Sequence, residues 1–143
     1  MTKPNFLFVG PDRAGSTFLF KLLQSHSNIY IPELKDSYYF CNFFGKRNKW
    51  FLNSFSKSSK SHTCRGELSH DYVFDDLSRA RIAKEYPRIK ILIMVRNQSD
   101  RAISHWKFRQ RSGVALHDYP SDFFECPSLA LHGEYGAFIA KWS

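Results

Sequence analysis

The sequence lacks any hydrophobic run long enough to cross a membrane, and it also lacks a secretory signal. Its longest apolar runs, NFLFVG and KILIMV, are far shorter than the roughly 20 residues that a membrane-spanning helix needs. The N-terminal MTKPNFLF has neither the hydrophobic region nor the cleavage site of a signal peptide. We therefore expect a chain without a membrane span, located in the cytoplasm.

Regularly spaced cysteines are also missing. Cys41, Cys64 and Cys126 stand far apart, and none lies in a C-x-x-C or Cys/His ligand pattern. This set predicts reduced thiols and argues against a disulfide framework or a zinc site.

Aromatic and basic residues are abundant. The 17% aromatic and 43% hydrophobic shares, in 143 residues, predict one globular domain with an aromatic core. The formal net charge of +8 favours anionic partners, such as nucleotides, sulfated or carboxylated glycans, nucleic acids or acidic lipids. A solvated basic surface without any such partner explains the charge equally well.

Apolar segments alternate with helical patterns along the chain. Strands are predicted at 5–10, 28–32 and 90–96, and helices at 16–25, 78–86, 99–113 and 135–142. The run KILIMVR predicts a strand covered on both faces, and Ser99 and Gly113 are the expected caps of the helix after it. The stretch 45–63 predicts an exposed helix or loop followed by a mobile linker. The alternation predicts an α/β fold with a mostly parallel central sheet.

The segment FVGPDRAGSTFLF predicts a strand, a glycine-bounded turn and the start of a helix. From Gly10 it reads G-x-x-x-x-G-S-T, so it lacks the lysine of the ATP-binding P-loop. A helix N-terminus after such a turn directs free backbone N–H groups and a positive helix end toward one point. Three interpretations stay open here: a broken nucleoside triphosphate site, a structural turn, or a phosphate loop for a different donor.

An acidic residue is missing where a P-loop NTPase needs one to hold Mg²⁺. The apolar strand KILIMV is followed by Arg96 and Asn97, and an arginine there repels a metal ion and attracts phosphate. Ser104 lies eight residues after Arg96. Together they suit a second phosphate group, although Arg96 as a helix cap or as a partner of Asp100 is an equally good explanation.

These motifs resemble the sulfotransferases that use 3'-phosphoadenosine-5'-phosphosulfate (PAPS), especially the bacterial and heparan-sulfate-type branch. GPDRAGSTFL resembles the loop for the 5'-phosphosulfate, and RNQSDRAISHW resembles the motif for the 3'-phosphate. KDSYYF and GELSHDYVF are similar to two segments that lie between those motifs in the family, and GEYGAFIAKW extends the match weakly. The resemblance implies a P-loop-like three-layer fold and a single domain over 1–143, which would be the N-terminal part of a longer family domain.

The resemblance implies two groups of residues that would bind the donor, one for its 5' end and one for its 3'-phosphate. Arg13 would neutralise charge on the bridging and sulfuryl oxygens, and Arg96 with Ser104 would hold the 3'-phosphate. The 5'-phosphate would be held by the loop and the first helical turn: Ala14, Gly15, Ser16, Thr17 and Phe18.

The resemblance also places the catalytic base. Asp36 would take the proton of the acceptor, with Lys35 beside it in the site, because a hydroxyl is a poor nucleophile until a carboxylate accepts its proton. A turn-forming role is the alternative for Asp36, and His70 and His105 are alternative bases. Glu67 and Ser69 would orient the loops of the active site.

The expected activity is therefore transfer of a sulfuryl group from PAPS to a hydroxyl or amine, without a metal. The expected partners are the donor, its bisphosphate product (PAP) and an anionic saccharide, and not nucleic acid. The aromatic and basic stretch 43–57 would stack on such a saccharide, or would form the edge of the core. The alternatives are an inactive nucleotide- or glycan-binding remnant of the same fold and, less favoured, a P-loop kinase.

Overall fold

Four parallel strands form the central sheet in the part of the chain that the structure describes. The computed structural model describes residues 2–113 and 131–143. The strands are β1 (Phe6–Gly10), β2 (Ile29–Tyr30), β3 (Cys64–Leu68) and β4 (Lys90–Ile93), and they lie in the order β2-β3-β1-β4. Phe6 pairs with Gly66 on one side and with Lys90 on the other. The predicted parallel α/β fold is thus confirmed.

Helices connect and cover these strands. They are α1 (Ser16–Gln24), α2 (Asn48–Asn53), α3 (Asp76–Glu85), α4 (Gln98–Arg111) and α5 (Tyr135–Trp142). A π-helical turn (Tyr39–Phe43) precedes α2, and a 3₁₀ turn (Tyr72–Phe74) precedes α3. Among the described residues, no helix is long and apolar enough to cross a membrane. The cytoplasmic location stays a prediction.

The core has two parts, one on each face of the sheet. Alternate side chains of β1 point to opposite faces, so Leu7 and Val9 enter one cluster and Phe8 enters the other. The first cluster is aromatic, with the following buried members: Tyr39, Phe40, Phe51, Phe55, Tyr72 and Phe138. The second joins Phe8, Ile31 and Leu68 to Leu19, Phe20 and Leu23 of α1. Helix, sheet and helix make the predicted three layers.

One of the two strands next to β1, namely β3, was not predicted from the sequence. β3 reads CRGEL, with two charged residues and a glycine, so it has no apolar pattern. The opposite error affects β4, which was expected to be covered on both faces. It is the last strand in the sheet order, and Leu92 is 36% exposed.

The predicted helix boundaries need small corrections. Ser99 is not the N-cap of α4, because Asn97 takes that position and its side chain accepts a hydrogen bond from the backbone N–H of Asp100. The C-cap is Ser112, with Gly113 in the left-handed conformation just after it. This is the usual position of a helix-terminating glycine.

The stretch 45–63 contributes more to the core than predicted. α2 is the expected helix near Trp50, yet Phe51 and Phe55 are almost fully buried. Cys41 and Cys64 are free thiols, as expected, whereas Cys126 lies outside the described residues.

Candidate functional site

The candidate site lies at the edge of the sheet where the parallel strands end. The loop after β1, the segment after β3 and the turn after β4 all leave this edge, which is the usual ligand-binding edge of open α/β sheets.

The loop after β1 presents backbone to this edge. Gly10 has φ +128°, and a Cβ on it would lie 2.1 Å from the carbonyl oxygen of His70. Gly15 (φ +108°) is the N-cap of α1, where no side chain caps the helix and no acidic residue lies in the first turn. The first N–H groups of α1 are therefore directed at the loop as donors for an anion.

The other loop residues assigned to the donor differ in exposure. Ala14 and Ser16 are buried, Thr17 is exposed, and Phe18 is 69% exposed. The apolar residues of α1 are thus only partly buried, because Leu19 packs on the sheet while Phe18 faces solvent.

The two predicted phosphate motifs contact each other directly. Arg13 Nε and Nη2 donate to Ser104 Oγ at 3.3 and 3.2 Å, and the guanidinium lies 4.9 Å from the ring centroid of Phe108. Arg96 Nη1 donates to the carbonyl oxygen of Arg13 at 3.2 Å. Arg13, itself in the left-handed conformation (φ 57°), thus joins the β1 loop to α4.

Asp36 lies in a turn with two left-handed residues, itself (φ 58°) and Tyr38 (φ 50°). Its Oδ2 lies 2.5 Å from Lys35 Nζ, and its Oδ1 lies 2.9 Å from His70 Nδ1. Although burial opposes it, the contacts with His70 and Lys35 hold the pKa of Asp36 below its usual value. The carboxylate is therefore ionised at neutral pH, which is the form that accepts a proton.

His70 is the second titratable group of this turn. Its Nε2 lies 3.4 Å from Tyr38 Oη and 3.2 Å from Asp71 Oδ1. Burial lowers the pKa of His70, but the contacts with Asp36 and Asp71 outweigh it, so the pKa lies above the usual value.

A buried carboxyl lies beneath the same turn. Glu67 is 2% exposed, and its Oε1 accepts hydrogen bonds from Ser37 N (3.3 Å) and Ser37 Oγ (2.8 Å) and from Ser69 Oγ. Ser69 Oγ in turn accepts from Tyr38 N at 3.1 Å. Burial raises the pKa of Glu67 to about 7, against the lowering effect of these hydrogen bonds.

Asp12 is a site residue that the sequence does not single out. Its Oδ2 lies 2.9 Å from His105 Nδ1 of α4, and its Oδ1 lies 2.7 Å from His132 Nδ1. Burial would raise the pKa of Asp12, but the two histidines hold it far below its usual value. His132 lies in none of the motifs described above. For Asp12, the sequence offered only its position in the loop between Gly10 and Arg13 as an indication of a role in the site.

The segment that leads into α5, together with its first residue, contacts both phosphate motifs. His132 reaches Asp12, Gln98 Nε2 donates to the carbonyl of Gly133 at 2.6 Å, and the backbone N–H of Arg96 donates to Tyr135 Oη at 3.3 Å. We refer to residues 132–135 as the C-terminal contact segment.

A cavity of about 200 Å³ lies between α2 and the edge of the sheet. Its lining includes Glu33, Leu34, Trp50, Lys57 and Glu67. Phe51 of the stretch 43–57 belongs to the core, as one interpretation expected, and Trp50 is 37% exposed at the cavity. Stacking on a saccharide stays a prediction.

The fold and this edge define an α/β protein of the P-loop-like class, in which the loop after the first strand carries Arg13 and leads into an uncapped helix N-terminus. No family model matches the sequence. Known proteins do match. The chain is 31% identical over 116 residues to the mouse bifunctional heparan sulfate N-deacetylase/N-sulfotransferase 4, and 25% identical over 107 residues to the membrane-associated sulfotransferase kil1 of Dictyostelium discoideum.

A solved structure supports the same relationship. The sulfotransferase from Alicyclobacillus acidocaldarius superimposes with a TM-score of 0.80 and 25% identity, over 99% of this chain and 68% of that one. The matches to the two curated relatives cover 76% and 73% of this chain but only 13% and 23% of those proteins. The chain belongs to the sulfotransferase family.

Proposed function

We propose that the chain transfers a sulfuryl group from PAPS to a hydroxyl or amine of a carbohydrate acceptor. The observation that carries this proposal is the contact between the two phosphate motifs, in which Arg13 reaches Ser104 and Arg96 reaches the backbone of Arg13. Two cationic groups from different elements meet beside an uncapped helix N-terminus. That arrangement suits a donor with phosphate groups at two positions.

The loop after β1 holds the 5' end of the donor. The N–H groups of the first turn of α1 and the Ser16 and Thr17 hydroxyls donate to phosphate oxygens, and Arg13 places a positive charge beside the sulfuryl group. Arg96 and Ser104 hold the 3'-phosphate. In the structure Ser104 Oγ accepts from Arg13, and its own O–H can donate to a phosphate oxygen when the donor binds.

The donor supplies an activated sulfuryl group with PAP as its leaving group. The acceptor oxygen or nitrogen forms a bond to sulfur, while the bond from sulfur to the bridging oxygen breaks and its electron pair leaves on PAP. Asp36 takes the proton of the acceptor, and Arg13 stabilises the charge that develops on the bridging oxygen. Lys35 pairs with the Asp36 carboxylate, and His70 holds its other oxygen in place.

The acceptor is proposed to be a saccharide with anionic groups. The names of the heparan sulfate N-deacetylase/N-sulfotransferases support this class. Trp50 and Lys57 at the cavity offer an aromatic surface and a positive charge for it.

A second candidate is a binding protein of the same fold without turnover. It uses the same contacts of Arg13 and Arg96 and differs from the enzyme only in the absence of turnover. A P-loop kinase is disfavoured, because Arg96 and Asn97 follow β4 where a metal-binding acid is needed.

The test compares donor-site variants with a charge-matched control. Calorimetry measures PAP affinity for the wild type, Arg13→Ala, Arg96→Ala and Arg88→Ala. Arg88 precedes β4 and therefore lies toward the opposite edge of the sheet. Losing one charge-assisted contact to phosphate should weaken PAP binding about 10- to 100-fold in the first two variants. Arg88→Ala should bind like the wild type.

Sulfate transfer is measured separately, with radiolabelled PAPS and N-desulfated heparan sulfate or heparosan as acceptors. Binding of PAP together with transfer supports the proposed enzyme. Binding of PAP without transfer to any acceptor supports the binding protein. If Mg²⁺-ATP competes better than PAP, both sulfotransferase interpretations are wrong.

A further inference from the structure

We propose that Asp12, His105 and His132 bind a divalent transition-metal ion of the Zn²⁺ class. Each residue offers one ligand atom, and the three atoms lie within 4.8 Å of one another. They come from the loop after β1, from α4 and from the C-terminal contact segment. Among residues 2–113 and 131–143, this is the cluster whose histidine, cysteine and carboxylate atoms converge closely enough to hold an ion.

The strongest observation concerns His105. Its Nδ1 is buried and lies 2.9 Å from Asp12 Oδ2, yet it makes no aligned hydrogen bond within the described part of the chain. A buried polar nitrogen normally makes a well-aligned hydrogen bond, and misalignment weakens the bond steeply. A metal ion coordinated by both the nitrogen and the carboxylate would explain a close approach without hydrogen-bond alignment.

The ligand set selects the class of ion. Two imidazole nitrogens and one carboxylate oxygen suit Zn²⁺ and its neighbours, whereas Mg²⁺ and Ca²⁺ prefer oxygen ligands alone. Three protein ligands leave one tetrahedral position of Zn²⁺ for water. Arg101 Nη1 lies 3.9 Å from Asp12 Oδ1, and its positive charge opposes a cation. We therefore expect weaker binding than in a structural zinc site.

The surroundings hold the ligands in place. The ring of His132 stacks on Phe74, with ring centroids 3.8 Å apart and an interplanar angle of 16°, and His105 lies on the buried side of α4. Bound metal would fasten the loop after β1 to α4 and to the C-terminal contact segment. Its ligands lie beside the donor loop but are not among the residues to which the proposed function gives a role, and the site would replace the expectation that the chain binds no metal.

The test measures metal binding directly. Chelator-treated protein is titrated with Zn²⁺ and, separately, with Mg²⁺, by calorimetry and by thermal unfolding. The wild type should bind one Zn²⁺ per chain and unfold at a higher temperature with it, whereas Mg²⁺ should do neither. His132→Ala and Asp12→Asn should lose most of the Zn²⁺ affinity, at least 10-fold. The controls are His26→Ala, an exposed histidine outside the cluster, and Cys64→Ser, an exposed thiol.

A spectroscopic measurement identifies the ligands independently. Co²⁺ in the wild type should give the visible absorption of a four-coordinate site, and His132→Gln, which keeps a polar side chain of similar size, should remove it. Unchanged Zn²⁺ affinity in His132→Ala, or loss of affinity only in the His26 or Cys64 control, would overturn the proposal. Because PAP binding and sulfate transfer are not the readouts, this test is independent of the proposed function.

Discussion

The proposed donor loop and the proposed catalytic turn lie at the same edge of the sheet, but they are held in different ways. The donor loop depends on cationic side chains that remain partly accessible, with Arg13 bound to Ser104 and Arg96 bound to the loop backbone. The turn that carries Asp36 rests on the buried carboxyl of Glu67. The donor side thus holds charge ready for a ligand, whereas the catalytic side holds a strained backbone in one conformation.

This difference separates two kinds of variant. Changes of the cationic side chains on the donor side should alter ligand affinity with little effect on folding, because their contacts remain partly solvent-accessible. Changes beneath the catalytic turn should alter stability and geometry together, because a buried polar group without a partner is costly.

The largest expected effect is that of Asp36→Asn on turnover. Asparagine tolerates the left-handed conformation of position 36 and keeps an oxygen near His70, so the fold should survive. Loss of the base should lower kcat about 10²- to 10⁴-fold, while PAP affinity stays within about threefold. Steady-state kinetics and calorimetry measure the two quantities.

The control for this variant is Asp76→Asn, the same change at a carboxylate that is 65% exposed on α3. It should leave kcat unchanged. If Asp36→Asn keeps normal turnover while His70→Ala abolishes it, His70 is the base. Asp36 would then be the residue that positions His70.

The next largest effect is that of Gly10→Ala on folding. A Cβ there would collide with the His70 carbonyl and would sit on a residue with φ +128°. Strain and overpacking together should cost about 3 kcal/mol in the free energy of unfolding. Urea denaturation measures this free energy. The control is Gly45→Ala, where φ is also positive (+76°) but the space around the residue is open, and it should cost only about 1–2 kcal/mol. Equal costs would show that the clash at Gly10 is relieved by movement of the loop.

The smallest effect is a pH dependence that arises from Glu67. Its pKa of about 7 in the folded protein lies above the unfolded value of 4.5, so between these values the folded state binds more protons. Stability should therefore fall as pH rises, by about 2 kcal/mol between pH 5 and pH 7. Glu67→Gln removes this titration, so its unfolding free energy should fall less over the same range.

Chemical denaturation at a series of pH values gives the comparison, and the difference between the two proteins isolates Glu67 from the other titrating groups. Parallel curves for the wild type and Glu67→Gln would mean that the buried carboxyl does not titrate in this range. The turn would then be held by a permanently ionised or permanently neutral group.

The donor loop was predictable because its evidence is local. A buried strand, two glycines and a helix start lie within one short stretch, and these residues impose the turn by their own conformational preferences. The contact of Arg13 with Ser104 was not predictable, because it joins residues 91 positions apart. Packing of α4 against the loop decides it, and no local pattern records that packing.

The structure of the proposed catalytic turn was much harder to predict from the sequence. Its left-handed residues and the strand β3 beneath it give no apolar periodicity, because β3 carries a buried Glu67 where a strand normally places an apolar side chain. For β4 the error is the reverse: a continuous apolar run predicted a strand covered on both faces, but Leu92 is 36% exposed and β4 ends the sheet order of the described residues.

The C-terminal contact segment links the proposed donor site to a part of the chain that is distant in sequence. Residues 132–135 contact Asp12, Arg96 and Gln98. Detachment of the segment would therefore remove contacts that position the residues proposed to hold phosphate. Thermodynamic linkage makes this coupling reciprocal: a donor that binds better when the segment is attached favours attachment by the same factor. Protection of the α5 amides from hydrogen exchange should then increase when PAP binds, although no residue of α5 is proposed to contact it.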